Sequence, residues 1–292
     1  MNIKYIMSTW LALGCLLGAT MSVADSIRFG ITAPRGGADV LVKWNDLAGF
    51  LEKEVGKKVE LVPVTPQDVE GAVTGGRVDY MLTNPVLSVL LNKRHGWTSI
   101  ATLDQGAGPQ FSGVIISKKG SGIKKSADVK GKSIMAFQLR SSAAAYVFQV
   151  KHLLSQGVDI SKDIASIREA KKQDDIVLAV KAGLVDVGFI KSGLLEEMVK
   201  EGKISMDDLE IVDKREDGFA HVHSTDLYPE WMVNASTKYD AATTEKVRGS
   251  LLKVTSGTAV AEKAHIKGFV PPLSLDGLAD TLKVLKMAPF ES

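Results

Sequence analysis

Short apolar runs alternate with stretches of helical periodicity along most of the chain. Apolar positions predict buried strands at residues 27–31, 59–64 and 78–82. Between them, residues 40–55 place apolar side chains on one helical face, and a second helix is predicted from residue 66 to the glycines that follow residue 74. Connections of this length predict βαβ units, in which mostly parallel sheets are covered by helices on both faces.

The same alternation restarts after Phe111. The pattern predicts strands at 113–117, 133–137, 164–168 and 184–190, and helices at 126–130, 142–156 and 174–182. Two such sets predict an α/β protein with two lobes. A cleft between two lobes is suited to a small ligand and to closure by a hinge motion.

Domain boundaries follow from the absence of a Pro/Gly/Ser-rich linker. We expect the chain to cross between lobes in short strands near residues 110–113 and 221–226. Lobe 1 then comprises residues 25–110 and 223–292, and lobe 2 comprises residues 111–222.

The first 24 residues have the features of a secretory signal peptide. Lys4 is followed by an apolar run, and Ser22-Val23-Ala24 places small residues before an expected cut after Ala24. The apolar run is too short to span a bilayer, and no later segment has 18 uninterrupted apolar residues. We therefore expect a periplasmic protein whose mature chain is not inserted in the membrane.

Composition excludes several functional classes. The single cysteine, Cys15, lies inside the predicted signal peptide, and the Leu typical of a lipoprotein signal three positions upstream is missing. The mature chain then has no disulfide, thiol nucleophile or Cys-ligated zinc. It carries one basic residue in excess of its 34 acidic ones, which gives no general attraction to nucleic acid or anionic membrane. We expect no cofactor, and we expect the protein to be a monomer.

Catalysis is the competing class. The chain has no Gly-x-Ser-x-Gly elbow, His-Glu-x-x-His helix or P-loop. Its acid pairs are adjacent in sequence, so on a helix their side chains diverge and form no general acid/base couple. We therefore expect no enzyme; a periplasmic hydrolase remains the less favoured alternative.

Several segments resemble the phosphate/phosphite/phosphonate-type substrate-binding proteins of ABC importers. These are FSGVIISKKGSGIKKSADVKGKSIMAF at 111–137, DDIVLAVKAGLVDVGFIKSGLLEEM at 174–198 and VDYMLTNP at 78–85. HSTDLYPEW at 223–231 resembles one branch, the periplasmic sensing domains of tetrathionate-type sensor kinases. The resemblance implies a two-lobe type II periplasmic binding protein with its ligand in the cleft between the lobes.

Helix starts at the cleft suit a small oxyanion ligand, because their amide groups are unpaired and carry a partial positive charge. Three strand-to-helix turns carry hydroxyl, amide or amine side chains: Thr83-Asn84, Ser141-Ser142 and Lys191-Ser192. Such side chains also cap helices in any protein. Their position in the crevice of an α/β sheet favours binding. In the resemblance, Ser141 and Ser142 match the Ser/Thr cluster that holds the phosphonate oxygens.

Other candidates have weaker support. Arg35 in a Pro-Arg-Gly-Gly turn could bind an anion bidentately or lie solvated on a loop. Lys191 could supply a charge to the ligand or form a surface salt bridge. Tyr228 could line the cleft or belong to the core. Two histidines, His221 and His223, alternate on a predicted strand, and a polar crossing strand is a better explanation for them than a metal site.

One position departs from the family pattern. Gln173-Asp174 stands where the family usually has His-Asp, so a neutral amide replaces an imidazole that commonly reaches the ligand. An amide donates to an oxyanion but does not charge with pH. The anion is therefore left open among phosphonate, phosphite, phosphate and sulfur oxyanions. Its recipient is either an ABC permease or, as the alternative, a separate sensor histidine kinase that detects an anion such as tetrathionate.

Overall fold

The computed structural model describes residues 26–34 and 36–291. In this part of the chain the strands are β1 (Ile27–Thr32), β2 (Val59–Val64), β3 (Tyr80–Thr83), β4 (Thr98–Asp104), β5 (Gln110–Phe111), β6 (Gly113–Lys118), β7 (Ser133–Phe137), β8 (Ser166–Ala170), β9 (Val187–Lys191), β10 (Leu209–Ile211), β11 (Tyr228–Pro229), β12 (Met232–Ala235) and β13 (Gly268–Val270). The α-helices are α1 (Gly37–Val55), α2 (Val69–Thr74), α3 (Pro85–His95), α4 (Phe148–Ser155), α5 (Gln173–Ala182), α6 (Leu194–Lys200), α7 (Ala241–Lys253), α8 (Ala259–Lys263) and α9 (Asp276–Val284). Three short 3₁₀ helices (Pro66–Asp68, Ser126–Val129, Met206–Asp208) and a π-helical turn (Ala143–Val147) complete the set.

Two mixed sheets, each flanked by helices, form the two lobes. The first has the order β13-β4-β12-β3-β1-β2 and the second the order β10-β6-β9-β7-β8. β1 pairs in parallel with β2 and β3, and β7 pairs in parallel with β8 and β9. β12 and β6 run antiparallel to both of their neighbours. These two are the strands by which the chain enters each lobe after crossing, so each crossing adds a reversed strand to its sheet.

The crossings are held together by a two-stranded ladder in which β5 pairs antiparallel with β11. Beside it, the Ser112 hydroxyl donates to the Thr225 carbonyl (2.9 Å) and the Gly113 amide donates to the Thr225 hydroxyl (3.0 Å). The segment 221–226, predicted as a strand, contains no strand in the structure, because the amides of Gly113 and Ile115 donate to its side-chain oxygens, Thr225 Oγ1 and Ser224 Oγ, rather than to its backbone carbonyls.

Apolar spacing explains α1. Its buried side chains are Val40, Trp44, Leu47, Ala48, Leu51 and Val55. Leu41, which the pattern also placed on the buried face, is 46% exposed. The helix ends at Val55 and is capped by Gly56. The φ of this glycine is 75°, a left-handed conformation that a residue without a Cβ adopts at no steric cost.

Separate apolar cores cover the two faces of each sheet, and a further cluster lies behind the crossings. In that cluster α9 packs against α3, and Leu278 and Leu282 join Phe111, Phe148 and Tyr228. The C-terminal helix therefore supports the cleft from the rear. Within residues 26–34 and 36–291, no helix combines the length and apolar character needed to cross a membrane.

Candidate ligand-binding cleft

A cavity of about 590 Å³ lies between the two sheets and is lined by residues from both lobes. Its polar lining comes chiefly from turns that follow strands. These residues are Asn84 and Gln105 from lobe 1, Gln138, Ser142, Gln173 and Lys191 from lobe 2, and Glu230 after the second crossing. Phe137, Phe219 and Trp231 supply apolar walls.

The turn between β7 and the π-helical turn is built around Gln138. This residue has a φ of +48°, which is uncommon for a residue with a Cβ. Its carbonyl accepts from the amides of Ser141 (3.1 Å) and Ser142 (2.9 Å). The reversed backbone thereby brings Ser142 to the cleft wall.

Ser142 occupies the N-cap of the π-helical turn, yet its side chain makes no capping hydrogen bond. Its hydroxyl has no hydrogen-bond partner among the described residues, and the residue lines the cavity. Ala143, Ala144 and Ala145 follow it along the wall, and amides in the first turn of a helix have no intrahelical partner. The turn therefore presents a hydroxyl and several N–H groups, which are donors for an oxyanion.

Gln149, which the sequence analysis overlooked, explains why this turn is wide. Its buried side-chain Nε2 donates to the carbonyls of Ala144 (2.8 Å) and Ile190 (2.9 Å). The Phe148 amide donates to the Ala143 carbonyl rather than to the Ala144 carbonyl, which an α-helix would use. The Gln149 side chain donates to the Ala144 carbonyl in its place. A glutamine between the apolar residues Phe148 and Val150 was the signal available in the sequence.

Gln173 and Lys191 meet at the next wall. The Gln173 Oε1 accepts from the Lys191 amide at 2.8 Å, which leaves Nε2 without a partner among the described residues. The Lys191 ammonium forms no ion pair within the described part of the chain. Both side chains line the cavity, and both offer donors.

The lobe 1 turn uses its side chains internally. Asn84 Oδ1 accepts from the Leu87 amide (3.1 Å) at the start of α3, and Asn84 Nδ2 donates to the Ser141 carbonyl (3.0 Å) of lobe 2. Thr83 is fully buried and accepts from the Thr32 hydroxyl at 2.7 Å. Asn84 lines the cavity, whereas Thr83 lies behind its wall.

The remaining predicted residues lie elsewhere. Ser141 is half-buried beside the cavity, and its hydroxyl lies 3.4 Å from Gln138 Oε1. The Tyr228 ring stacks on Phe148 with ring centroids 4.0 Å apart and lines a second cavity of about 550 Å³ behind the crossings. Arg35 and the predicted signal peptide lie outside the described residues.

The two histidines point to different surroundings. His221 lines the cleft, and its Nδ1 lies 3.7 Å from Glu196 Oε1. His223 is 1% exposed, and its Nε2 lies 2.9 Å from Asp217 Oδ1. This hydrogen bond lowers the pKa of Asp217. Among the described residues no group of three or more His, Cys, Asp or Glu side chains could hold a metal ion.

Glu230 is an acid that sequence reasoning missed. It is 6% exposed and lines the cleft. Burial raises the pKa of its carboxyl, against opposing effects of hydrogen bonds from Trp231 and Gln105 and of the charge on Lys191. Nothing in the local sequence Tyr-Pro-Glu-Trp distinguishes this acid from an exposed one.

Two α/β lobes, two crossings with reversed strands and a donor-rich cleft define the class of type II periplasmic binding proteins. Solved structures of this class superpose on the chain. Protein XAC2383 of Xanthomonas citri, solved with ATP, gives a TM-score of 0.74 at 17% identity and covers 89% of this chain and 98% of its own. PhnD1 of Prochlorococcus marinus, solved with methylphosphonate, gives 0.69 at 16% identity with the same coverage.

The chain belongs to the family of periplasmic substrate-binding proteins of phosphonate ABC transporters, whose model matches residues 29–276. The tetrathionate sensor histidine kinase TtrS of Salmonella typhimurium is 25% identical over 242 residues, which are 81% of this chain. The chain spans about two fifths of that relative's length, 41%. Family and fold are thus those of substrate-binding proteins.

Proposed function

We propose that the protein is a periplasmic binding protein that captures a small oxyanion in the cleft and delivers it to an ABC permease. The observation that carries this proposal is the Ser142 turn. Ser142 lies at a helix start, and its hydroxyl makes no hydrogen bond to the described residues. Three alanines follow it at the cleft wall. The turn therefore has donors available for an anion. A charged acceptor would satisfy these donors with hydrogen bonds worth about 1.5–3 kcal/mol each.

The proposed ligand contacts are Ser142, Gln173 Nε2 and Lys191, with Ser141 and Asn84 holding the turn beside them. Thr83 supports the wall from behind. Arg35 and Tyr228, also predicted from the sequence, remain candidate ligand contacts. The ligand is bound without being transformed, and the protein acts as a monomer.

Residues 1–24 are proposed to direct export and to be removed after Ala24. The mature chain then works in the periplasm, with residues 25–110 and 223–292 as lobe 1 and residues 111–222 as lobe 2. N-terminal sequencing of the protein from the periplasmic fraction tests the cut, since an intact Met1 would contradict it.

A thermal-shift screen of the purified protein tests the ligand class. The panel is methylphosphonate, phosphite, phosphate, sulfate, thiosulfate and tetrathionate. A ligand at one hundred times its dissociation constant stabilises the folded state by about 2.7 kcal/mol. Unchanged melting temperatures across the panel would reject the oxyanion proposal, and turnover of any panel member by the protein would reject the assignment as a pure binding protein.

A sensing role is the second candidate, and the similarity to the tetrathionate sensor kinase over 242 residues favours it. In that case the anion-loaded protein contacts a separate membrane-bound histidine kinase. Deletion of the gene distinguishes the two recipients. Lost uptake of the radiolabelled anion indicates a permease, whereas normal uptake with lost anion-induced transcription indicates a kinase.

A further inference from the structure

Glu230 places a buried acid beside the donors of the cleft. It follows β11 directly, and its amide donates to the Pro109 carbonyl at 2.9 Å, so its backbone is fixed to the other crossing. The side chain is buried and lines the cleft. An ionised carboxylate here would repel a bound oxyanion, since both groups are acceptors of the same charge.

The two carboxyl oxygens of Glu230 have different surroundings. Oε2 accepts from Gln105 Nε2 and from the Trp231 amide, both at 3.0 Å. Oε1 accepts no hydrogen bond from the described residues. It is also absent from the fully enclosed polar atoms that lack a partner, so it retains access to the cleft. Oε2 is therefore the fixed acceptor, and Oε1 is the oxygen able to carry a proton toward the ligand.

Charges near Glu230 come from both lobes. Lys191 at the end of β9 favours the ionised carboxyl, and Asp104 at the end of β4 disfavours it; burial is the larger effect and raises the pKa. The other titratable residues of the cleft are Lys43, Lys171, Lys172, Asp174, Glu197, His221 and His265. None of them makes a hydrogen bond or ion pair with Glu230.

We propose that Glu230 Oε1 and an oxygen of the bound anion share one proton, so that anion capture is coupled to a proton. The inference rests on the proposed oxyanion-binding function. In one arrangement the neutral carboxyl donates its O–H to the anion; in the other a protonated anion donates to the carboxylate. Both contain the same atoms and the same single proton. A hydrogen bond of this charged kind is short and about twice as strong as a neutral one.

The shared proton sets a specificity. Phosphonates and phosphite are weak acids in their last ionisation and bring the proton with them near neutral pH. Tetrathionate and thiosulfate are anions of stronger acids, so the proton must come from Glu230 or from solvent. The cleft is therefore expected to favour protonated oxyanions as the pH rises.

Calorimetric titration of the wild-type protein and of Glu230→Gln tests the proposal, with methylphosphonate, phosphite and tetrathionate as probes. Glutamine keeps an acceptor for Gln105 and Trp231 and places a permanent N–H donor at the Oε1 position. Wild-type affinity for tetrathionate should fall by up to about tenfold per pH unit above the pKa of Glu230. The ratio of wild-type to Glu230→Gln affinity should fall with pH for every probe that binds.

Titrations in two buffers with different heats of ionisation count the protons. With tetrathionate at alkaline pH, the wild type should take up about one proton per anion and Glu230→Gln none. Glu197→Gln is the matched control, because it removes another cleft charge; it should shift affinity by one factor at every pH and leave the slope unchanged.

The possible outcomes distinguish a failure of the shared-proton inference from a failure of the proposed oxyanion-binding function. If none of the three probes binds to wild type or variants, this inference fails. The oxyanion function fails as well if the other three anions of the thermal-shift panel also leave the melting temperature unchanged. If a probe binds but the wild type and Glu230→Gln have the same pH slope, only the shared proton is rejected. Ligand-free melting curves show whether each variant is folded. If Glu230→Gln does not fold, the number of protons taken up by the wild type is compared among the three probes instead.

Discussion

The two walls of the cleft use similar side chains in opposite ways. On lobe 1, Asn84 caps α3 and bonds to the opposite lobe, so both polar atoms of its side chain are occupied. On lobe 2, Ser142 occupies an equivalent strand-to-helix position and caps nothing. Gln173 uses only its oxygen internally. The Asn84 turn of lobe 1 is thus structural, whereas the Ser142 and Gln173 turns of lobe 2 retain donors without partners among the described residues.

The comparison also identifies a direct contact between the lobes. The Asn84 Nδ2 to Ser141 carbonyl bond at 3.0 Å connects the two turns directly. The neighbouring Ser142 hydroxyl makes no hydrogen bond to any described residue. Asn84, which caps α3 in lobe 1, therefore helps to orient the Ser141-Ser142 turn of lobe 2.

The largest loss of anion affinity is expected for Gln173→Glu. The variant keeps an acceptor for the Lys191 amide and replaces the free Nε2 donor by a charged oxygen. Because like charges brought together cost several kcal/mol, affinity for the oxyanion should fall by more than about 100-fold, as measured by calorimetry. Gln173→Leu is the control that removes the acceptor too. An unchanged affinity for Gln173→Glu would remove this residue from the site.

A smaller loss is expected for Ser142→Ala. The variant removes one hydroxyl partner worth about 1.5–3 kcal/mol toward a charged acceptor, so affinity should fall by roughly 10- to 100-fold. The ligand-free melting temperature should stay unchanged, because the side chain makes no capping bond. A lower melting temperature with unchanged affinity would show that the serine supports the helix instead.

Asn84→Ala should give the opposite pattern. Losing an N-cap costs about 0.5–2 kcal/mol of folding stability, and the bond to Ser141 is lost as well. Chemical denaturation should therefore show clear destabilisation, while affinity falls less than about tenfold because the donors of lobe 2 remain. Asn84→Asp separates the two bonds, since it keeps the cap to Leu87 and loses the Nδ2 donor. An affinity loss as large as that of Ser142→Ala would mean that the Asn84 turn also binds the anion.

The smallest effect is expected for Tyr228→Phe. The ring that stacks on Phe148 is retained, and only a hydroxyl that bonds to Thr281 is removed. Affinity should stay within about twofold of wild type by calorimetry, with a stability loss of about 0.5–1.5 kcal/mol. A tenfold loss of affinity would place the tyrosine in the ligand path and extend the site toward the rear of the crossings.

Much of the architecture could be predicted from periodicity. The strands at 27–31, 59–64, 113–117 and 133–137 agree with the observed ones to within one residue. Predictions slipped where polar contacts replaced apolar packing. The helix predicted at 142–156 divides into a π-helical turn and α4, because Gln149 captures a carbonyl of the turn. Segment 221–226 has no strand because side-chain hydrogen bonds occupy its crossing.

The candidate site was predicted in part. Residue type and position relative to strands selected Asn84, Ser142 and Lys191, and the family resemblance selected Gln173. All four line the cleft. Thr83 was selected by the same features as Asn84 but is fully buried, and Tyr228 packs on Phe148 behind the crossings. A strand alternates its side chains between opposite faces, and sequence does not reveal which face meets the second lobe.

By itself, the sequence determined the two α/β sets, the lobe order and the class of side chains at the strand ends, because these depend on local periodicity and on turn chemistry. Tertiary structure decided which of those side chains are occupied. Asn84 meets the Ser141 carbonyl 57 positions away, and Glu230 meets Gln105 at a separation of 125. Hydrogen-bond satisfaction of this kind depends on contacts between distant segments, so only the folded chain distinguishes a cap from a receptor.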